Sequence, residues 1–139
     1  MLRTSAMKIL GIDLGKKRIG VALGETEHKL VVGLPTIINN HATLSALADI
    51  IHRENIQKLI IGLPRTMTGQ AGKQAVYTRK WGEMAARILQ IDIAYTDERL
   101  SSKMARDSLA TLGKALKKED IDQAAAVFIL QGYMDSLKN

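Results

Sequence analysis

The architecture of this chain follows from residues 9–22, which read ILGIDLGKKRIGVA and consist of two apolar runs around a short basic turn. Apolar runs joined by a tight turn that contains glycine are typical of a β-hairpin. Because successive side chains of a strand point to opposite faces, Ile9, Gly11 and Asp13 share one face of the first strand. Asp13 therefore places a charge on an apolar strand, where an unpaired carboxylate is unfavourable. A strand-end aspartate bonded to turn amides and a metal-binding aspartate both account for this position.

The composition sets the size and charge of the molecule. The chain has 139 residues, of which 20 are basic and 14 acidic, so its formal net charge is +6. This length predicts that residues 1–139 form a single domain, with residues 1–6 as an N-terminal extension if the protein starts at Met7. The positive charge favours a polyanionic partner such as a nucleic acid, although a merely soluble basic protein fits the charge equally well.

The sequence contains no cysteine, which excludes a disulfide framework and a cysteine-ligated zinc site. The absence of cysteine fits a reducing cytoplasm. The N-terminal residues lack the apolar core of a signal peptide, and no apolar run is long enough to span a membrane. We therefore expect a cytoplasmic protein that does not contact a membrane.

Hydrophobic periodicity predicts the element order β-β-β-α-β-α-β-α-α, which is typical of an α/β domain with a mixed sheet. The first of the predicted helices has Thr43 or a neighbouring residue as its N-cap. Glycines in the segment 62–72 predict a long loop of the kind that often carries function. After the hairpin, the elements are expected at 30–38 (strand), 43–54 (helix), 58–62 (strand), 73–89 (helix), 91–96 (strand), 101–112 (helix) and 120–137 (helix).

One face of the helix predicted over 73–89 carries four large apolar or aromatic side chains at helical spacing. We interpret this stripe as core packing rather than as a platform for stacking bases. Its members are Tyr77, Trp81, Met84 and Ile88.

Carboxylates follow the ends of two predicted strands. In a mixed α/β sheet, ligands bind beyond the carboxyl ends of the strands. Asp13 lies at the end of the first strand, and Asp97 and Glu98 lie at the end of the last. Alternation places Asp97 and Glu98 on opposite faces, so only one of them can join Asp13 directly. The residue pattern alone does not choose between them.

A further acidic residue, Asp122, lies near the start of the last predicted helix. The helix dipole alone accounts for an acid at this position. The alanines at 124–126 would also let this helix approach the sheet closely, so that Asp122 could reach the strand-end carboxylates. Carboxylates gathered in one pocket repel each other but bind hard divalent cations well. Two such ions can activate water and stabilise the leaving oxygen in phosphodiester hydrolysis.

Four motifs taken together resemble the YqgF family of small RNase H-like nucleases, described as pre-16S rRNA nucleases or Holliday junction resolvases. The motifs are GIDLG with RIGVA in residues 11–22, IGLP at 61–64 with Met67 and Gly69, DERLSS at 97–102, and IDQAAA at 121–126. The resemblance covers nearly the whole chain from Met7. It implies an RNase H-like fold with a five-stranded sheet in the order 3-2-1-4-5, with strand 2 antiparallel and helices on both sides.

The resemblance also implies a metal-binding triad of Asp13, Glu98 and Asp122 that holds Mg²⁺ or Mn²⁺. It implies a cytoplasmic hydrolase that processes the 5′ end of pre-16S rRNA in ribosome biogenesis. Two positions depart from the family pattern. The loop after Pro64 continues through Thr68, where the family often has an aspartate, and Glu119 replaces a usual glycine.

Several functions remain open beside rRNA processing. The same chemistry could resolve Holliday junctions in branched DNA, which requires a dimer with two active sites, so both a monomer and a homodimer are compatible with the sequence. A nucleotide-binding ATPase would need two such domains, and a pure binding module would leave the acids structural. For a nuclease with nucleic acid as its partner, structured RNA before branched DNA, the basic residues expected to contact phosphates are Lys16, Arg18, Arg65, Arg99 and Lys103.

Overall fold

The structure is a computed structural model that describes residues 6–64, 69–97, 107, 108, 110 and 117–137. Most of the helix predicted over 101–112 lies outside these residues. The elements described are β1 (Lys8–Leu14), β2 (Arg18–Glu25), β3 (Leu30–Ile38), α1 (Thr43–Glu54), β4 (Lys58–Leu63), α2 (Gly69–Leu89), β5 (Asp92–Asp97) and α3 (Lys118–Ser136).

The strands form one mixed sheet in the order β3-β2-β1-β4-β5. β2 is antiparallel to both β1 and β3, whereas β1, β4 and β5 run parallel to one another. The predicted RNase H-like sheet, with order 3-2-1-4-5 and an antiparallel second strand, is therefore confirmed. β1 occupies the centre of the sheet, so its carboxyl end is enclosed by neighbouring strands on both sides.

The two faces of the sheet bury different sets of apolar residues. Leu10 and Ile12 of β1 pack with Leu47 of α1 and Trp81 of α2 on one face. On the other face, the side chain of Ile9 packs in the core that α3 supplies. The alternation predicted for the first strand is therefore observed. Among the elements that the structure describes, α3 is the helix that covers the face carrying Asp13. None of the helices in the described ranges combines the length and the apolar character needed to cross a membrane.

Helix α1 spans the predicted residues, and its N-cap is the residue next to Thr43. The N-cap is Ala42, which makes no side-chain capping bond, and Thr43 is the first helical residue. The Thr43 hydroxyl is buried, donates to the carbonyl of Ile38 at 3.1 Å and accepts from the amide of Asn40 at 3.0 Å. Thr43 therefore ties the helix to the end of β3 instead of capping it.

Strand β3 is an edge strand, and it contains Gly33 and Pro35, residue types that are tolerated at sheet edges and bulges. Its pairing with β2 shifts by one residue between Ile19 and Val21, which face Ile37 and Leu34. A bulge of this kind inserts an extra residue into one strand. Pro35 lies within the inserted stretch, which does not pair with β2. Its missing amide proton therefore costs the sheet no hydrogen bond.

The stripe on α2 is only partly a core surface. Trp81 is buried and Met84 packs against the same core. Tyr77 and Ile88 are 39% and 56% exposed, so the prediction that the whole stripe packs in the core is wrong for these two side chains. Helix α2 also starts at Gly69, four residues before the predicted start at Lys73.

Candidate active site

Asp13 lies one residue before the carboxyl end of β1 and pairs with Gly20 of β2 across the antiparallel ladder. Paired residues point to the same face of a sheet. The residue two positions earlier in β1, Gly11, faces the carbonyl of Ala126 and the side chain of Leu130 in α3. Asp13 therefore belongs to the α3 face, where it is half-buried.

Gly20 is the point at which α3 meets the sheet. A methyl group at Gly20 would lie 2.0 Å from the backbone oxygen of Asp122, closer than any real contact between such atoms. The backbone of α3 therefore rests directly on β2. Because Gly20 also pairs with Asp13, this contact brings the turn that carries Asp122 to the strand position beside Asp13.

The close approach of α3 depends on small residues from both sides. Ala125 and Ala126 are buried, as the run of alanines had suggested. The strands contribute glycines as well, which the sequence pattern does not predict. A methyl group at Gly33 would lie 2.6 Å from Gln123 Cγ, and the Gln123 amide donates to the carbonyl of Leu34 at 2.7 Å. Helix α3 is thus both packed on the sheet and hydrogen-bonded to its edge.

The position of Asp122 within α3 weakens the helix-dipole explanation. The helix starts at Lys118, and its first turn already contains Glu119 and Asp120. The dipole acts mainly on charges in the first turn. Asp122 is the fifth helical residue, so its placement needs a further reason.

The carboxylate of Asp122 is paired with a cation from the sheet. Arg18 Nε donates to Asp122 Oδ2 at 3.0 Å, and both side chains are 26% exposed. These residues are 104 positions apart in the chain. The bond holds the first residue of β2 against α3. The guanidinium has further donors besides Nε, and these could contact a phosphate. The phosphate contact predicted for Arg18 is therefore compatible with its bond to Asp122 and stays a prediction.

Replacing Arg18 with alanine should destabilise the protein by about 1 kcal/mol, because a partly exposed, hydrogen-bonded ion pair contributes roughly that amount. Thermal unfolding should show a midpoint lowered by about 3 °C, with a smaller difference at high salt. Arg53→Ala is the matched control, since Arg53 is 63% exposed and pairs with Glu54 at 3.5 Å. Equal midpoints for Arg18→Ala and the wild type would contradict a stabilising role for the pair.

The carboxyl end of β5 lies two strands from β1, because β4 separates them. Two strand spacings amount to about 10 Å. Asp97 shares its face of β5 with Tyr95, which packs in the core on the side of α1 and α2. Asp97 therefore lies on the face opposite Asp13. Four predicted site residues lie outside the described part of the chain: Glu98, Arg65, Arg99 and Lys103.

The turn after Asp13 is held by bonds from two other elements. The Gly15 amide donates to the Arg18 carbonyl at 3.0 Å and closes the turn. Gln74 of α2 donates to the carbonyl of Leu14 at 3.0 Å, and Asn39 donates to the carbonyl of Gly15 at 2.8 Å. The exposed side chain of Lys16 extends from this fixed turn.

A separate acidic cluster lies at the other end of the hairpin. Glu25, Glu27 and His28 place their ligand atoms within 4.8 Å of one another. Glu25 pairs with Lys8 at the start of β1, so this cluster is remote from Asp13 along the strand. A side-chain hydrogen bond with His28 lowers the pKa of Glu25, and the same bond raises the pKa of His28. The cluster is a hydrogen-bonded turn and not the predicted triad.

The described part of the predicted triad fits a divalent cation in its chemistry. Asp13 and Asp122 offer carboxylate oxygens, the donors that Mg²⁺ and Mn²⁺ prefer. Arg18 places a positive charge beside Asp122. Such a partner is expected for a carboxylate that is partly buried between a helix and a sheet. Both acids approach the same strand position, at the sheet end where ligands of α/β sheets bind.

Comparison with known proteins places these residues in a family context. A family model described as RuvX, Holliday junction resolvase, matches residues 7–136. A protein of Sulfurihydrogenibium sp. (strain YO3AOP1), named "Putative pre-16S rRNA nuclease", is 40% identical over 94% of this chain and 91% of its own length. A protein of Gloeobacter violaceus with the same name is 40% identical over 93% of this chain and 84% of its length.

The fold comparison is consistent with this. The RuvC protein of T. thermophilus, solved in complex with a Holliday junction substrate, superposes with a TM-score of 0.58. The superposition covers 95% of this chain and 98% of that protein at 12% sequence identity. At this identity the match supports the shared fold and nothing finer.

Proposed function

The chain belongs to the RuvX family, the family also called YqgF, and from this premise we propose that it is a metal-dependent nuclease that processes the 5′ end of pre-16S rRNA. Such an enzyme is a hydrolase of phosphodiester bonds. The proposal includes a cytoplasmic location and a nucleic acid as partner, with structured RNA preferred over branched DNA.

The observation that carries the proposal is the approach of Asp13 and Asp122 to one strand position. Gly20 pairs with Asp13 in the sheet and lies directly under the backbone of Asp122. The backbone of Asp122 and the strand position of Asp13, which are more than 100 residues apart in the chain, therefore lie beside the same residue near the carboxyl end of the central strand.

In the proposed mechanism, Asp13 and Asp122, together with Glu98, hold the divalent cation through their carboxylate oxygens. When bound, the cation supplies Lewis-acid stabilisation and an activated water. Arg18 and Lys16 follow Asp13 in the chain and contact the scissile phosphate and its neighbours on the same strand by hydrogen bonds and charge. Arg65, Arg99 and Lys103 are proposed to contact neighbouring phosphates. The turn bonds from Gln74 and Asn39 keep Lys16 in a fixed position relative to Asp13.

A second candidate function is the resolution of Holliday junctions. The family model carries that description, and this observation alone favours it. Resolution requires paired cuts on opposing strands, so it needs two active sites in a dimer. We prefer the rRNA-processing function because two relatives that are 40% identical over almost the whole chain are named as pre-16S rRNA nucleases.

The two functions are separated by a cleavage assay with two labelled substrates, a precursor rRNA 5′ fragment and a four-way DNA junction. Each is incubated with Mg²⁺, with Mn²⁺ and with EDTA. We expect the RNA to be cut with either metal and to remain intact in EDTA. Cutting of the junction alone, with symmetric paired nicks, would reverse the order of the two functions. Binding of both substrates without cutting under any condition would contradict a nuclease mechanism and favour a binding module.

A further inference from the structure

A cavity of about 260 Å³ lies beside the turn that follows Asp13, on the side of α2. It is lined by Lys16 from the turn and by Lys73, Gln74 and Tyr77 from α2. The cavity combines two ammonium groups, a side-chain amide and an aromatic ring, and none of the lining residues in the described part of the chain is acidic. The mechanism described above uses Lys16 and Gln74 from this set but neither Lys73 nor Tyr77.

The aromatic ring of this cavity is exposed but held in place. Tyr77 is 39% exposed, and its hydroxyl accepts a hydrogen bond from Asn39 Nδ2 at 3.3 Å. The same amide group of Asn39 donates to the carbonyl of Gly15 in the turn. An aromatic ring that is accessible on one side and anchored at its hydroxyl can stack on a flat ligand with little loss of side-chain freedom.

The charge around the ring favours an anion. Lys16 and Lys73 are both exposed. The first turn of α2 contains no acidic residue, so nothing in that turn opposes the two lysines. Gln74 donates from the cavity wall to the carbonyl of Leu14, which ties this wall to the residue that follows Asp13.

We propose that this cavity, which we call the Tyr77 pocket, takes one unpaired nucleotide of the substrate strand, with its base stacked on Tyr77 and its phosphate between Lys16 and Lys73. The inference rests on the proposed nuclease function and adds a substrate class to it. Aromatic rings stack on any base whose face is free, and a base inside a continuous duplex offers no free face. The pocket therefore selects strands that are unpaired near the cut.

The Tyr77 pocket is close to the proposed site of cleavage. Lys16 follows Asp13 by three residues, so their Cα atoms are at most about 11 Å apart. A nucleotide in the pocket would lie a few positions from the scissile phosphate on the same strand. An intact four-way junction pairs all its bases, whereas the 5′ end of a precursor RNA can present an unpaired strand, so the pocket favours the RNA as the substrate.

Binding can be measured apart from cleavage by fluorescence anisotropy in EDTA, using one labelled RNA as a single strand and as a duplex. We expect Tyr77→Ala to weaken single-strand binding by about 5- to 100-fold. Tyr77→Phe should weaken binding by only about threefold or less, because the ring is retained and only the exposed hydrogen bond from Asn39 is lost. Ile88→Ala is the matched control, since Ile88 is exposed on the same helix face about 16 Å away. Equal affinities for Tyr77→Ala and Ile88→Ala would overturn the inference.

The phosphate contact is tested by the salt dependence of the same binding. Lys73→Ala should reduce the magnitude of the slope of log K against log salt by about 1, the contribution of one phosphate contact. Arg79→Ala removes an equal charge from the opposite side of α2, where Arg79 lies over the Tyr95 ring, and should leave the slope unchanged. Equal slopes for the Lys73→Ala variant and the wild type would contradict the proposed contact between Lys73 and the phosphate.

The wild-type protein gives an independent measurement in case a variant fails to fold. A single-stranded RNA that carries 2-aminopurine should lose fluorescence on binding, because stacking quenches this base. Unchanged fluorescence at every position along the bound RNA would overturn the proposed pocket.

If quenching and the Tyr77 effect are found but no substrate is cut with metal, the pocket stands and the nuclease function fails. If cutting of single-stranded RNA is unaffected by Tyr77→Ala, the nuclease function stands and the pocket fails.

Discussion

Replacement of Asp13 by asparagine is expected to reduce cleavage of the precursor RNA by about a thousandfold or more. The amide has nearly the shape of the carboxylate but lacks its charge, so it is a poor ligand for a divalent cation. Stabilisation by a bound cation is worth several kcal/mol in the transition state, which corresponds to such a factor in rate. Single-turnover rates of the variant and the wild type at saturating Mg²⁺ measure the effect. RNA affinity in EDTA should change little.

Asp135→Asn is the control for the charge change, because Asp135 is exposed in α3 and lies more than three turns beyond Asp122. Its rate should equal that of the wild type. Thermal unfolding of both variants separates catalysis from folding. A folded Asp13→Asn variant that cuts at the wild-type rate would contradict the metal role. A variant that does not fold would instead identify Asp13 as a structural residue.

Gly20→Ala is expected to have the largest effect on stability, a loss of about 3 kcal/mol in the free energy of unfolding. The new methyl group would lie 2.0 Å from the Asp122 oxygen and 2.7 Å from its carbonyl carbon. Neither atom belongs to a flexible side chain, so α3 must move away from β2 to make room. Denaturant-induced unfolding measures the loss. Cleavage should fall as well, because the displaced turn carries Asp122.

Gly132→Ala is the matched control within α3. A methyl group at Gly132 meets nothing within 4 Å, and alanine favours a helix by about 1 kcal/mol over glycine. This variant should therefore be more stable than the wild type. If Gly20→Ala is tolerated as well as Gly132→Ala, the close contact between α3 and β2 is not part of the native structure.

The strands could be predicted from the sequence because their local signals are strong, whereas the strand order was predicted from the family resemblance. The hairpin at 9–22 combines apolar runs with a glycine-containing turn, and both faces of β1 pack as the alternation requires. The start of α2 was harder to predict. Gly69 and Gly72 are weak helix formers, and their composition resembles a loop. Tertiary packing of the buried residue Ala75 and its neighbours stabilises the helix where local propensity does not.

The candidate site was predictable in its acids but not in their surroundings. Asp13 and Asp122 could be singled out from a charge on an apolar strand and from the small residues after a helix start. The bond between Arg18 and Asp122 joins positions 104 residues apart, so no local pattern reports it. The close contact at Gly20 likewise depends on the strand register. The prediction that Tyr77 packs in the core was wrong because helical spacing shows which residues share a helix face. It does not show how far along the helix other elements cover that face.

The bulged edge strand has a consequence for solubility. Leu30, Val32 and Ile38 of β3 are 62%, 56% and 67% exposed, which on a regular edge would invite strands of other molecules to pair and aggregate. Pro35 offers no amide proton, and the register shift beside it interrupts the row of free donors and acceptors. A strand from another molecule therefore finds no continuous ladder to extend along β3, and this edge of the sheet is protected by its own irregularity.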